Sequence, residues 1–103
     1  MVETHWDGLR GRELRYAGHT WSLTGDLEVR ERGELLAVEA RQVDGVKRRR
    51  ATLYFGVEDG PRSLNPGNLG EGFERFERGE TYALVVRTEP RRYRYVLHRL
   101  EYA

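Results

Sequence analysis

Apolar and polar positions alternate along residues 20–30. Trp21, Leu23, Leu27 and Val29 fall on one side, and Thr20, Ser22, Thr24, Asp26, Glu28 and Arg30 on the other. A period of two predicts a half-buried β-strand. Gly25 interrupts the apolar row and predicts a bulge or a sharp bend. Arg32-Gly33 predicts a turn, with glycine free to take a positive φ. Pairing across it sets Val29 opposite Leu36, Leu27 opposite Val38 and Gly25 opposite Ala40. Asp44-Gly45, between Val43 and Val46, is the strongest short signal for a two-residue hairpin turn. It sets Leu36 opposite Leu53, Val38 opposite Ala51, Glu39 opposite Arg50, Ala37 opposite Thr52 and Leu35 opposite Tyr54. Residues 20–30, 34–43 and 46–57 then form a meander with one continuous apolar face, which a one-residue slip would destroy.

Beyond the meander the pattern changes. Residues 58–68 read as loop, from Glu58-Asp59-Gly60-Pro61 to Asn65-Pro66-Gly67-Asn68. Leu69, Phe73 and Phe76 are spaced by four and three residues, which predicts a short helix. Asn68 is its N-cap and Gly79 its stop, while Gly70 and Gly72 each weaken it by roughly 1 kcal/mol relative to alanine. Residues 80–88 and 92–102 read as two more strands joined by a turn at Glu89-Pro90-Arg91-Arg92. Both carry apolar residues on each face: Leu84, Val86, Tyr95 and Leu97 form one set, Ala83, Val85, Val96 and Leu100 the other. The pattern leaves the buried face open. In residues 1–19, Leu14 and Tyr16 alternate briefly and allow a further short strand.

The element order is strand, strand, strand, helix, strand, strand, with a bend in the first strand. That order resembles the OB-fold, a five-stranded Greek-key barrel. The expected fold is therefore all-β with one short helix, in a single domain over residues 1–103. The alternative is another small β-barrel or sandwich with residues 12–17 as an added N-terminal strand. The resemblance is one of element order over residues 20–102. No motif carries a family's site residues across.

Composition narrows the chemistry. Charged residues make up 34% of the chain and the formal net charge is +1, so total charge selects no polyanion and only local clustering does. All but one of the 18 basic residues are arginine, Lys47 being the exception, and Gln42 is the only glutamine. This composition resembles that of thermophile proteins, and a GC-rich genome has the same bias. Cysteine is absent, which removes disulfides and thiolate chemistry. No apolar run reaches the length of a membrane span, and the N-terminus lacks a signal-peptide layout, so a cytoplasmic location is expected.

Candidate chemistry is sparse. His5, His19 and His98 have no metal-ligand spacing. Residues 67–72 are glycine-rich but lack the partners of a P-loop or dinucleotide fingerprint. Ser22 and Ser63 sit in no nucleophile motif. No enzyme activity, cofactor or metal is expected. The densest cluster is Lys47-Arg48-Arg49-Arg50. Strand alternation sends Arg48 and Arg50 outward with Arg41 and Tyr54, and sets Arg41 against Arg48. Like charges facing each other are destabilising without an anion nearby. The OB-fold resemblance implies that this sheet face binds oligonucleotides. Arg41, Arg48 and Arg50 would then contact the phosphates of single-stranded DNA or RNA, and Tyr54 would stack a base. Glu39 and Asp26 on the same face oppose that use. A solvated charged face, with Glu39 and Arg50 as an ion pair, accounts for the same residues. The competing function is a protein-interaction or assembly domain using outward Leu35 and Tyr54; a small-ligand barrel is a third reading.

Overall fold

Seven antiparallel strands form one sheet that curls into a half-barrel. The structure is a computed structural model and describes residues 6–59, 73–88 and 91–103. The strands are β1 (Glu13–Tyr16), β2 (His19–Arg30), β3 (Leu35–Gln42), β4 (Arg50–Asp59), β5 (Phe73–Glu77), β6 (Ala83–Thr88) and β7 (Arg91–Tyr102). Their spatial order is β1-β2-β3-β4-β7-β6-β5. A 3-10 turn, Trp6–Leu9, precedes β1.

The expected all-β class and the added N-terminal strand are both present. β4 to β7 form a Greek key: β5, β6 and β7 follow one another as neighbours, and β4 lies beside β7 after a long connection. The strand count is seven among the described residues, against the five expected. The helix expected from Leu69 onward is not formed at residues 73–77, which are β5. β5 pairs with β6 through Phe73–Val86, Arg75–Val85, Phe76–Leu84 and Glu77–Ala83, with a register shift between Phe73 and Arg75. A bulged strand returns to the same face after three residues instead of two, so it imitates helical spacing. Pairing with β6 satisfies the backbone of a segment whose glycines disfavour a helix. Asn68, the glycine-rich run and Ser63 lie outside the described residues.

The β2–β3 ladder keeps Val29 opposite Leu36 and Leu27 opposite Val38. It then shifts, and Leu23 instead of Gly25 faces Ala40. Thr24, Gly25 and Asp26 thus bulge opposite Glu39, as the glycine predicts. A Cβ on Gly25 would stand 3.0 Å from the Glu39 Cβ, so only glycine lets the bulge lie this close to β3. At the β2–β3 turn, Arg32 has φ 56° and Gly33 has φ 92°.

The β3–β4 register differs from the expected one by two residues. Leu36 faces Phe55, Val38 faces Leu53, Glu39 faces Thr52 and Arg41 faces Arg50. The connection is a seven-residue loop, 43–49, closed by the Gln42 N–H donating to the Arg49 carbonyl at 2.8 Å. The buried Gln42 amide donates to the Asp44 carbonyl at 2.8 Å, and the Val43 N–H donates to the Thr20 carbonyl at 2.9 Å. These bonds favour the wider loop over a tight turn. Gly45 still needs its freedom, with φ +71°. Gly45→Val should cost about 1–2 kcal/mol, because a β-branched residue is strained at positive φ. Urea unfolding followed by circular dichroism checks this, and an unchanged midpoint would refute the loop geometry.

The core lies on the inner face. Trp21, Leu23, Leu36, Val38, Leu53, Phe55, Leu84, Val86, Tyr93, Tyr95 and Leu97 are buried there, joined by Leu9 and Leu14. β7 explains its own ambiguous pattern. Phe55 pairs with Leu97 but Tyr54 pairs with Arg99, so His98 is an extra residue. Inward positions therefore switch from Tyr93, Tyr95 and Leu97 to Leu100, which packs on the same core. The set containing Leu84, Val86, Tyr95 and Leu97 forms the core, while Ala83 and Val85 are also buried. The two ends of the sheet meet across a seam. The Arg15 N–H donates to the Tyr82 hydroxyl at 3.2 Å, and the Arg12 guanidinium lies 6.0 Å from the centre of the Phe76 ring.

Candidate functional site

Arg41 and Arg50 are direct cross-strand partners on the outer face, and both are exposed. Arg41 is the penultimate residue of its strand, before the 43–49 loop, and Arg50 starts the next one. The structure thus brings these two residues together, whereas Arg48, expected opposite Arg41, is not on a strand. It sits in the loop at φ +48°, with its guanidinium donating to the Val43 carbonyl at 3.1 Å. The reason is the two-residue difference in register. Such a difference preserves each residue's face and changes only its partner. Arg49 places its guanidinium 3.7 Å from the centre of the Tyr102 ring. Glu39 faces Thr52, and the expected Glu39–Arg50 ion pair is absent from the described residues.

Tyr54 is outward-pointing yet only 3% exposed. It forms a second small cluster with Leu35 and Ala37. The Arg99 guanidinium lies 4.2 Å from its ring centre and that of Arg30 5.4 Å. Its hydroxyl accepts from Arg30 Nη1 at 2.9 Å and donates to Glu101 Oε2 at 3.0 Å. Arg30 also bonds Glu28 at 3.2 Å. The ring is already stacked by arginines of this chain. It holds that cluster together.

The outer face divides by charge balance. Over β5–β7, arginines are matched by acids. Arg75 pairs with Glu77 at 2.7 Å, Arg92 with Glu74 at 2.8 Å, and Arg94 with both Glu77 at 3.0 Å and Glu58. Over β3–β4, neither Arg41 nor Arg50 makes an ion pair with a described residue. Two facing guanidiniums without an acid repel each other, and an anion between them removes that repulsion.

No family model, curated protein or solved structure matches the chain.

The paired arginines open onto a groove of about 270 Å³ whose walls include Thr24, Glu39 and Thr52, with Ala40 and Ala51 at its floor. A second groove of about 300 Å³ adjoins it, shares Glu39 and Thr52, and runs past Gly25 to Arg30. The bulge at Gly25 borders the second groove and Thr24 within it borders the first. The alternation shows which residues point outward, but the roles of Thr24 and Thr52 follow only from the bulge and the actual register. The Gly25 interruption is the one signal that points to them.

At the loop side, His19 Nδ1 lies 3.4 Å from Asp44 Oδ1 and 3.3 Å from the Gln42 amide nitrogen. Desolvation works against the Asp44 carboxylate. The Thr20 N–H, the nearby His19, its own N–H and the Gln42 amide outweigh that effect and hold it below the usual carboxylate range. Asp44 is thereby occupied with the loop and does not neutralise the arginines. Among the described residues, no three histidines and carboxylates gather as a metal site. No described helix is long and apolar enough to cross a membrane.

Proposed function

We propose that this chain is a non-enzymatic binding module for a single-stranded nucleic acid, contacted at the β3–β4 end of the outer face. The observation that carries the reading is the facing pair Arg41 and Arg50, which lacks a described acid partner and opens onto a groove. Facing guanidiniums bind phosphate oxygens through paired N–H donors, and a strand passing between them relieves their repulsion. Lys47 and Arg48 in the neighbouring loop extend the positive end. A phosphate backbone is favoured over a protein surface because five basic side chains, Arg41 and those of residues 47–50, crowd one end of the sheet. Tyr102, 40% exposed, lies on the inner face beside Trp21 with Arg49 over its ring, so the proposed contact rests on the arginines.

The test is fluorescence anisotropy with labelled single-stranded oligonucleotides over a salt series. Affinity should fall steeply with salt, by a slope of roughly 0.7 per neutralised phosphate. The Arg41→Ala, Arg50→Ala double variant should lower that slope by about 1.4, for two lost phosphate contacts. An unchanged slope would remove these arginines from the interface. No binding at low salt would reject the reading in favour of a protein-interaction or assembly domain. Val46 at the loop tip, 96% exposed, would then be the first residue to substitute.

A further inference from the structure

We infer that the groove reads the base as well as the phosphate. Glu39 accepts a hydrogen bond from the exocyclic amino group of a nucleobase while Arg41 and Arg50 hold the adjoining phosphate. The module would thus favour cytosine over thymine or uracil. This inference rests on the single-stranded reading above.

The position of Glu39 motivates it. It is exposed, lines both adjoining grooves, and makes no ion pair or side-chain hydrogen bond with a described residue. Arg41 stands two residues further along the same face, about 7 Å away along the strand. A carboxylate that close to a phosphate site lowers affinity for any polyanion, so it is costly on a surface that reads charge alone. An ionised carboxylate only accepts hydrogen bonds. It therefore selects a ligand edge rich in donors. Cytosine presents an amino group at N4, whereas thymine presents a carbonyl oxygen at the equivalent position. In a single strand those Watson–Crick edges are free to be read. The carboxylate attracts the first edge and repels the second.

Gly25 supports the same arrangement. A Cβ there would meet the Glu39 Cβ at 3.0 Å, so glycine lets the bulged strand pass over the stem of Glu39 while the carboxylate stays in the groove. Thr52, its cross-strand partner, lines the opposite wall with a hydroxyl able to donate or accept.

The experiment measures anisotropy with labelled oligo-dC and oligo-dT of equal length, at neutral pH and two salt concentrations. The protein should bind oligo-dC about 5–10-fold more tightly, the size of one good polar base contact. Glu39→Gln should abolish that ratio, chiefly by raising affinity for oligo-dT. The variant's unchanged melting curve would show that an exposed side chain was removed without disturbing the fold. Equal binding of the two oligomers by the wild type, with the salt dependence intact, overturns the base-reading role and leaves the phosphate site standing. A preference that survives Glu39→Gln also overturns it. Failure of both oligomers to bind at low salt overturns the single-stranded reading, and this inference with it.

Discussion

Trp21→Ala is expected to lower the unfolding free energy by about 3–5 kcal/mol. The indole is fully buried where β1, β2 and β3 meet the end of β7. Leu14 is its neighbour on β1 and Gln42 on β3. The His19 ring meets it edge-on at 6.2 Å, and the Tyr102 ring lies 5.8 Å away. Truncation removes a large apolar surface and leaves a cavity that strands on three sides cannot collapse into. It also removes the Nε1–H that donates to the Tyr16 carbonyl at 2.9 Å, the bond that pins the β1–β2 turn. A loss of this size is a large share of the roughly 5–15 kcal/mol that small domains possess. Trp21→Phe is therefore the companion variant. It retains an aromatic ring, lacks the hydrogen bond, and should lose less than the alanine variant. Urea unfolding followed by far-ultraviolet circular dichroism measures both. A cost below about 1 kcal/mol for alanine would place Trp21 outside the core.

Tyr95→Phe should destabilise by about 1–3 kcal/mol near neutral pH, and its effect should shrink at alkaline pH. The Tyr95 ring is fully buried, and its hydroxyl donates to the Gly33 carbonyl at 2.6 Å. This bond ties β7 to the β2–β3 turn, where Arg32 and Gly33 both hold positive φ. Without the hydroxyl, the Gly33 carbonyl loses its partner inside the molecule. Burial, aided by the nearby Tyr93, pushes the Tyr95 hydroxyl well above the ordinary tyrosine range. The unfolded chain releases that proton above about pH 10 while the folded chain keeps it. Folded protein then binds more protons than unfolded protein, so stability falls as pH rises. The contribution is fully present below about pH 10 and declines above it, by up to about 1.4 kcal/mol per pH unit. Tyr95→Phe lacks this proton and should decline less. Urea midpoints at pH 8 and pH 10.5 for both proteins test the point. Parallel declines would show that Tyr95 does not control the alkaline limb.

The outer face of this protein shows why an outward position is not an exposed one. Alternation along β4 places Tyr54 and Arg50 on the same side, and the structure agrees. It also buries Tyr54 beneath Arg30 from β2 and Arg99 from β7, residues remote in sequence. The candidate site was therefore legible in part. Arg41 and Arg50 share a face on period alone. Their direct opposition depends on the length of the 43–49 loop, and that length depends on the buried amide of Gln42 and on Thr20. Arg48 left the strand for the same reason. A two-residue difference in register keeps every apolar side chain inside, so hydrophobic pattern cannot detect it.

The remaining differences share a cause. Bulges at Gly25, near Glu74 and at His98 each add residues that pair with nothing. At Gly25 the sequence announced the break, because a missing side chain there is informative. At β5 the bulge mimicked a helix, and at His98 it made both faces of one strand look apolar.

From sequence alone follow the β class, the three-strand meander with its inner face and the bend at Gly25, whereas the short first strand is only allowed by its pattern. These depend on local period and on turn residues, which act over a few positions. The tertiary structure decided the register of β3 on β4, the strand state of residues 73–77, the covering of Tyr54 and the lack of an ion pair at Arg41 and Arg50 among the described residues. Each of these depends on hydrogen bonds and charges from strands far apart in the chain. Burial fixes which face a side chain takes, while only long-range pairing fixes what it meets there.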